Sequence, residues 1–206
     1  MGIITISREF GSGGRELGKR LADEMGYAYY DKEIVTAIAE KNKMDEHYVA
    51  YALEGGAFRN FPVHFGRTFS YSPTLMANET KLFSEQNKLL KELAAEGNCV
   101  IVGRAADVIL REHRPFNLFV YADMASKIQR CQERAPEDEH MNAREMERKI
   151  KRIDSDRKRY HGIISDIAWG DKRGYHLCVN TTDREIKSLV PIVASYIRLW
   201  FEERGE

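Results

Sequence analysis

The sequence predicts an α/β fold, a three-layer α/β/α sandwich built on a parallel sheet. Short strand-like runs recur along the 206 residues, and helical patterns separate them. The runs are apolar throughout rather than alternating, as strands covered on both faces are. The first is IITIS at residues 3–7, followed by YAYYD at 27–31, NCVIVG at 98–103, FNLFVYA at 116–122 and YHLCVN at 175–180.

After the first strand the chain passes through Gly11, Ser12, Gly13 and Gly14 and enters a helical pattern with Leu17, Leu21 and Met25 on one face. Strand, glycine-rich loop and helix is the layout of a phosphate-binding loop, in which backbone N–H groups and the helix start face the anion. The consensus GxxxxGK[ST] is absent. Glu9 stands where its first glycine would be, Arg15 where its lysine would be, and Glu16 where its Ser or Thr would be. A plain strand-to-helix turn fits the same residues.

Between the second and third strands, residues 32–97 are mostly helical. They are interrupted at 54–73 by a stretch rich in Gly, Pro and aromatic residues, which reads as a long rim loop. In the third strand's motif, VIVGRAADVIL, an apolar run ends in Gly103-Arg104. Ligands of open α/β sheets collect at the carboxyl ends of strands, so Arg104 points toward the crevice of the glycine loop unless it is a surface ion-pair residue. Residues 142–165 form a highly charged helix with Met146, Ile150 and Ile153 as a thin apolar stripe. Within it, helical spacing puts Asp156 on a face with Arg152 and with Arg159, an arrangement suited to a sugar diol and phosphates or to a solvated ion-pair ladder.

Length favours a single domain, residues 1–206, with a lid at about 142–165 and a helical acceptor-binding region at about 32–97. Lys plus Arg and Asp plus Glu number 32 each. The zero net charge argues against nucleic acid and anionic membranes as partners. Three scattered cysteines form no CxxC pair, and the six histidines show no metal spacing. With no signal-like start and no apolar run of membrane-spanning length, a cytoplasmic location is expected. A homo-oligomer is left open.

Taken together, ITISREFGSGGRELGKRLA, YYDKEIV, VIVGRAADVIL and DRKRYHGIISDIAWGDKRGYHLCVNT, in that order, resemble the cytidylate kinase-like family, a branch of the P-loop nucleoside monophosphate kinases. The resemblance implies a P-loop kinase-like fold, ATP as donor substrate, Mg²⁺, and small-molecule nucleotide substrates. By it, Gly11, Ser12, Gly13, Gly14 and Arg15 wrap the donor triphosphate. Arg104, Asp156 and Arg159 hold the acceptor, CMP or dCMP in the first instance, while Arg152 and Arg157 become lid arginines for the transferring group. Glu16 becomes the candidate Mg²⁺ ligand, against its simpler role as an acidic first-turn residue. Where classical relatives carry aspartates around Gly-Arg, this chain has Val102 and Ala105. Two rival functions remain: a nucleotide-binding sensor that has lost transfer, and a kinase for a different small acceptor.

Overall fold

The computed structural model describes residues 2–53, 73–135 and 141–205, with the side chains of 73–79 left aside. Its strands are β1 (Ile3–Arg8), β2 (Ala28–Tyr30), β3 (Cys99–Val102), β4 (Phe116–Tyr121) and β5 (Leu177–Asn180). They form one sheet in the order β2-β3-β1-β4-β5, and every pair is parallel. Each expected strand is present. The β1 strand is central, with Ile4 opposite Val100 of β3 and Ile6 opposite Leu118 of β4.

Successive side chains of a strand point to opposite faces, and both faces here are covered. Ile4, Ile6, Val100, Val102, Leu118 and Val120 pack with Leu17 and Leu21 of helix α1 (Gly14–Met25) and with Val193 and Ile197 of the last helix. On the other face Ile3, Cys99 and Ile101 pack with Ile34 and Ile38 of α2 (Glu33–Asn42), Val49 of α3 (Glu46–Leu53) and Leu82 and Leu90 of α4 (Pro73–Glu96). Two apolar layers on one sheet make the three-layer sandwich. Cutting a fully buried Leu or Ile of either layer to Ala costs about 2–5 kcal/mol.

The remaining helices are α5 (Ala106–Ile109), α6 (Met124–Glu133), α7 (Ala143–Ile164) and α8 (Ile186–Glu202). A capping box starts α7: the Glu145 N–H donates to Asn142 Oδ1, and Glu145 Oε2 accepts from the Asn142 N–H, both at 3.0 Å. The rim loop expected at 54–73 falls, but for Pro73, outside the described residues. Among those described, no helix is long and apolar enough to cross a membrane.

Candidate active site

The carboxyl end of β1 opens into a cavity of about 330 Å³ whose walls include Gly11, Gly13 and Gly14. Gly13 precedes α1 with φ at +82°, and no side chain caps the helix start. A Cβ there would also lie 2.7 Å from Ile186 Cγ1, so only glycine fits. An uncapped first turn presents N–H groups without intrahelical partners, which suits an anion. Ser12 behaves differently. It is wholly buried, its hydroxyl donates to the Glu9 carbonyl at 2.8 Å, and its own carbonyl accepts from Thr181 Oγ1 at 2.7 Å. The Ser12 side chain therefore shapes the loop from behind.

Six cationic side chains line this cavity: Arg8, Arg15, Arg130, Arg134, Lys149 and Arg157. The nearby carboxylates are engaged by cations. Arg15 Nε lies 2.5 Å from the buried Asp31, with Arg8 3.9 Å away on the other oxygen. Both oxygens of Glu16 face arginines, Arg20 at 2.8 Å and Arg134. Beneath the loop the buried Lys127 sits 3.0 Å from Glu9 and 3.5 Å from Asp154. Asp154 also accepts the Phe10 N–H at 2.7 Å. Burial nevertheless holds the Asp154 carboxyl above the usual carboxylate range, with that N–H, Arg157 and Lys127 pulling the other way. Burial likewise pushes the half-buried Cys131 thiol up, so it is not a ready nucleophile.

The third strand ends in three successive left-handed residues, Gly103, Arg104 and Ala105, with φ of +78°, +61° and +49°. Backbone strain of this kind persists only where surrounding structure holds it. Here the turn buries Arg104, whose carbonyl accepts from Gln86 Nε2 at 3.4 Å, in the wall of a second, smaller cavity. Gly103 lets the Arg8 guanidinium cross directly above the backbone, because a Cβ there would stand 2.8 Å from Arg8 Cζ.

On α7 the expected face does not hold together. Asp156 is buried, whereas Arg152 and Arg159 are exposed and line neither cavity. At about 100° per residue, Arg152 and Arg159 fall on one stripe, some 40–60° beyond Asp156 and farther still from the buried Ile150, Tyr160 and His161. Helical neighbours can thus part at the edge of a buried face. Arg157 takes the inward position: its Nη1 donates to the Arg8 carbonyl at 3.1 Å, and it lines both cavities. The helix is also less solvated than its charge implies. Gln86 donates to the Tyr160 hydroxyl at 3.0 Å, Phe83 stacks on that ring, and burial pushes the hydroxyl up to about 12. Ile153 is only half-buried.

The structure therefore brings together Gly11, Gly13, Gly14, Arg15 and Arg157 around one cavity, adds Arg104 through the second, and leaves Arg152 and Arg159 outside. Sequence reasoning missed Arg8, Asp31, Asp107, Lys127 and Asp154. Asp107 supplies, two positions after Ala105, a carboxylate near the Gly-Arg turn, and the available signal was the VIVGRAAD string itself. Trp169 packs where the chain returns toward the last strand, edge-on to Phe119 at 5.3 Å between ring centres.

Residues 3–183 match the profile of the Cytidylate kinase-like family. Comparison with curated proteins finds no match. Among solved structures, an uncharacterized protein from Eubacterium ventriosum is 25% identical, with a TM-score of 0.67 over 96% of this chain and 99% of its own. A shikimate kinase from Bacteroides thetaiotaomicron superposes with a TM-score of 0.58 at 14% identity, covering 96% of this chain and 98% of that one. A gluconokinase from Sinorhizobium meliloti gives 0.51 at 15% identity, over 99% and 95%. At those identities the two kinases speak for the fold.

Proposed function

The chain belongs to the Cytidylate kinase-like family, and as a kinase-like phosphotransferase we propose that it moves the γ-phosphate of ATP onto a small anionic acceptor, with CMP and dCMP the first to assay. The observation that carries this reading is the 330 Å³ cavity in which loop glycines and six cationic side chains converge at the end of β1. Phosphoryl transfer asks mainly for charge neutralisation and in-line positioning. The loop N–H groups and the start of α1 hold the donor phosphates, and Arg15, Arg130, Arg134 and Lys149 offset their charge. Arg8 and Arg157, shared by the two cavities, sit where donor and acceptor would meet.

Kinases of this kind generally use Mg²⁺, yet the carboxylates described around the cavity do not form a metal site. Glu16, Glu9, Asp154 and Asp31 each face a cation, and among the described residues no cluster of three or more His, Cys, Asp or Glu could hold an ion. Mg²⁺ keeps waters and phosphate oxygens readily, so it would arrive on the triphosphate. Glu16 then anchors Arg134 beside the loop.

Coupled measurement of ADP release, with ATP, Mg²⁺ and single acceptors, tests the proposal. Acceptor-dependent turnover supports it. ATP binding without turnover on any acceptor favours the sensor reading, and a protein that binds no nucleoside triphosphate at millimolar concentration contradicts both.

A further inference from the structure

Beyond Arg8 and Arg157 from the glycine loop lies the second cavity, of about 30 Å³, with Ser7, Arg104, Tyr160 and His161 in its walls. His161 comes from α7 and is 4% exposed. Its Nε2 is 2.9 Å from Asp107 Oδ2, and the other Asp107 oxygen lies within 3.5 Å of the Ser7 hydroxyl. The remaining ring nitrogen, Nδ1, is buried and makes no hydrogen bond with any described residue.

A carboxylate can only accept, so the Nε2 facing Asp107 is the ring nitrogen that carries the hydrogen, and a neutral ring of that tautomer has its lone pair on Nδ1. A buried acceptor left unpaired costs free energy, which a hydroxyl donor placed against it recovers. An imidazole so oriented by a carboxylate is equipped to take a proton in the transition state. A phosphate monoester acceptor, already ionised, has no such proton to give. Arg8, Arg104 and Arg157 around the same space offer planar forks for a carboxylate or phosphate.

We propose that the acceptor is a small anionic alcohol, and that His161, held by Asp107, is the base for its reacting hydroxyl. The inference rests on the kinase reading above and narrows its acceptor. In the step, the alcohol oxygen bonds to the γ-phosphorus as the bond from that phosphorus to the β,γ-bridging oxygen breaks. The bridging oxygen keeps the electron pair and leaves as ADP, and the hydroxyl proton passes to His161 Nδ1 and then to water. At about 30 Å³ the cavity has room for the reacting hydroxyl alone, so binding of such a molecule requires its walls to part, as kinase clefts do on binding substrate.

The test uses the full chain with ATP and Mg²⁺ and, in separate reactions, CMP, dCMP, glycerol 3-phosphate, ribose 5-phosphate and glycerate, read by ³¹P NMR. The expected result is a new phosphomonoester from at least one alcohol. His161→Gln can still reach Asp107 but leaves no base at Nδ1, and should lower kcat for that alcohol roughly 10²- to 10⁴-fold with KM little changed. Asp107→Asn should act in the same direction, and two-bond ¹H–¹⁵N spectra should show the His161 Nε2–H tautomer in the wild type and its loss in this variant. Phosphomonoester from no alcohol, or an unchanged kcat in a folded His161→Gln protein, overturns the inference. If CMP or dCMP alone yields product, as a diphosphate resonance, this inference falls and the kinase reading stands. No ATP binding at all removes both.

Discussion

Gly103→Ala separates two physical costs that meet at one atom. The first is the backbone: Gly103 has φ at +78°, and a Cβ in the left-handed region costs about 1–2 kcal/mol. The second is Arg8. The new Cβ would stand 2.8 Å from Arg8 Cζ and closer still to Nη1, so the guanidinium must leave its place over the turn. Arg8 is buried and faces Asp31, and displacing such a charged group costs about 1.5–3 kcal/mol. The total is about 2.5–5 kcal/mol, or a Tm lowered by about 5–20 °C for a chain of this size. In an Arg8→Ala background only the backbone part remains, about 1–2 kcal/mol, so the double-mutant cycle should show a coupling of about 1.5–3 kcal/mol. Urea unfolding of the four proteins measures it. Strict additivity would refute the claim that Gly103 exists to seat Arg8.

Arg157→Ala should lower acceptor-dependent transfer by about 10- to 150-fold, the loss of one charge-assisted contact, while Arg159→Ala leaves turnover and Tm unchanged. Steady-state kinetics of both variants decide whether the inward arginine of α7 is the working one. Asn142→Ala removes the α7 cap and should cost about 0.5–2 kcal/mol, with faster amide exchange in the first half of the helix than around Tyr160. Because the folded Asp154 binds its proton more tightly than the unfolded chain does, it makes stability fall as pH rises from the ordinary carboxylate value, about 4, through its raised folded value. Asp154→Asn removes that fall, so the Tm difference between variant and wild type should change across this acidic window and stay constant above it.

The five strands and their parallel sheet were legible because the signal is local. A run such as CVIV, apolar at every position, reports burial on both faces wherever it lies in the chain. The glycine loop was legible for the same reason. Arg8 was hidden because it ends an otherwise apolar strand, and nothing in IITISR says that Gly103 will leave it room. Lys127 meets Glu9 across 118 positions and Asp107 meets His161 across 54, distances over which periodicity carries no information. The inward placement of Arg157 and the outward placement of Arg159 have another origin. Helical spacing told which residues share a stripe, but the edge of the buried face is set by what α7 packs on, among it Gln86 and Phe83 of α4.

A nucleoside triphosphate is expected to bind with its phosphates against the glycine loop. Backbone ¹H–¹⁵N spectra of the full chain, titrated with Mg²⁺ and ATP, test it most directly. The expected result is saturable shifts that are largest at the amides of Gly11, Gly13, Gly14 and Arg15. No shift at millimolar ATP, or shifts centred elsewhere with those four amides unmoved, would contradict it.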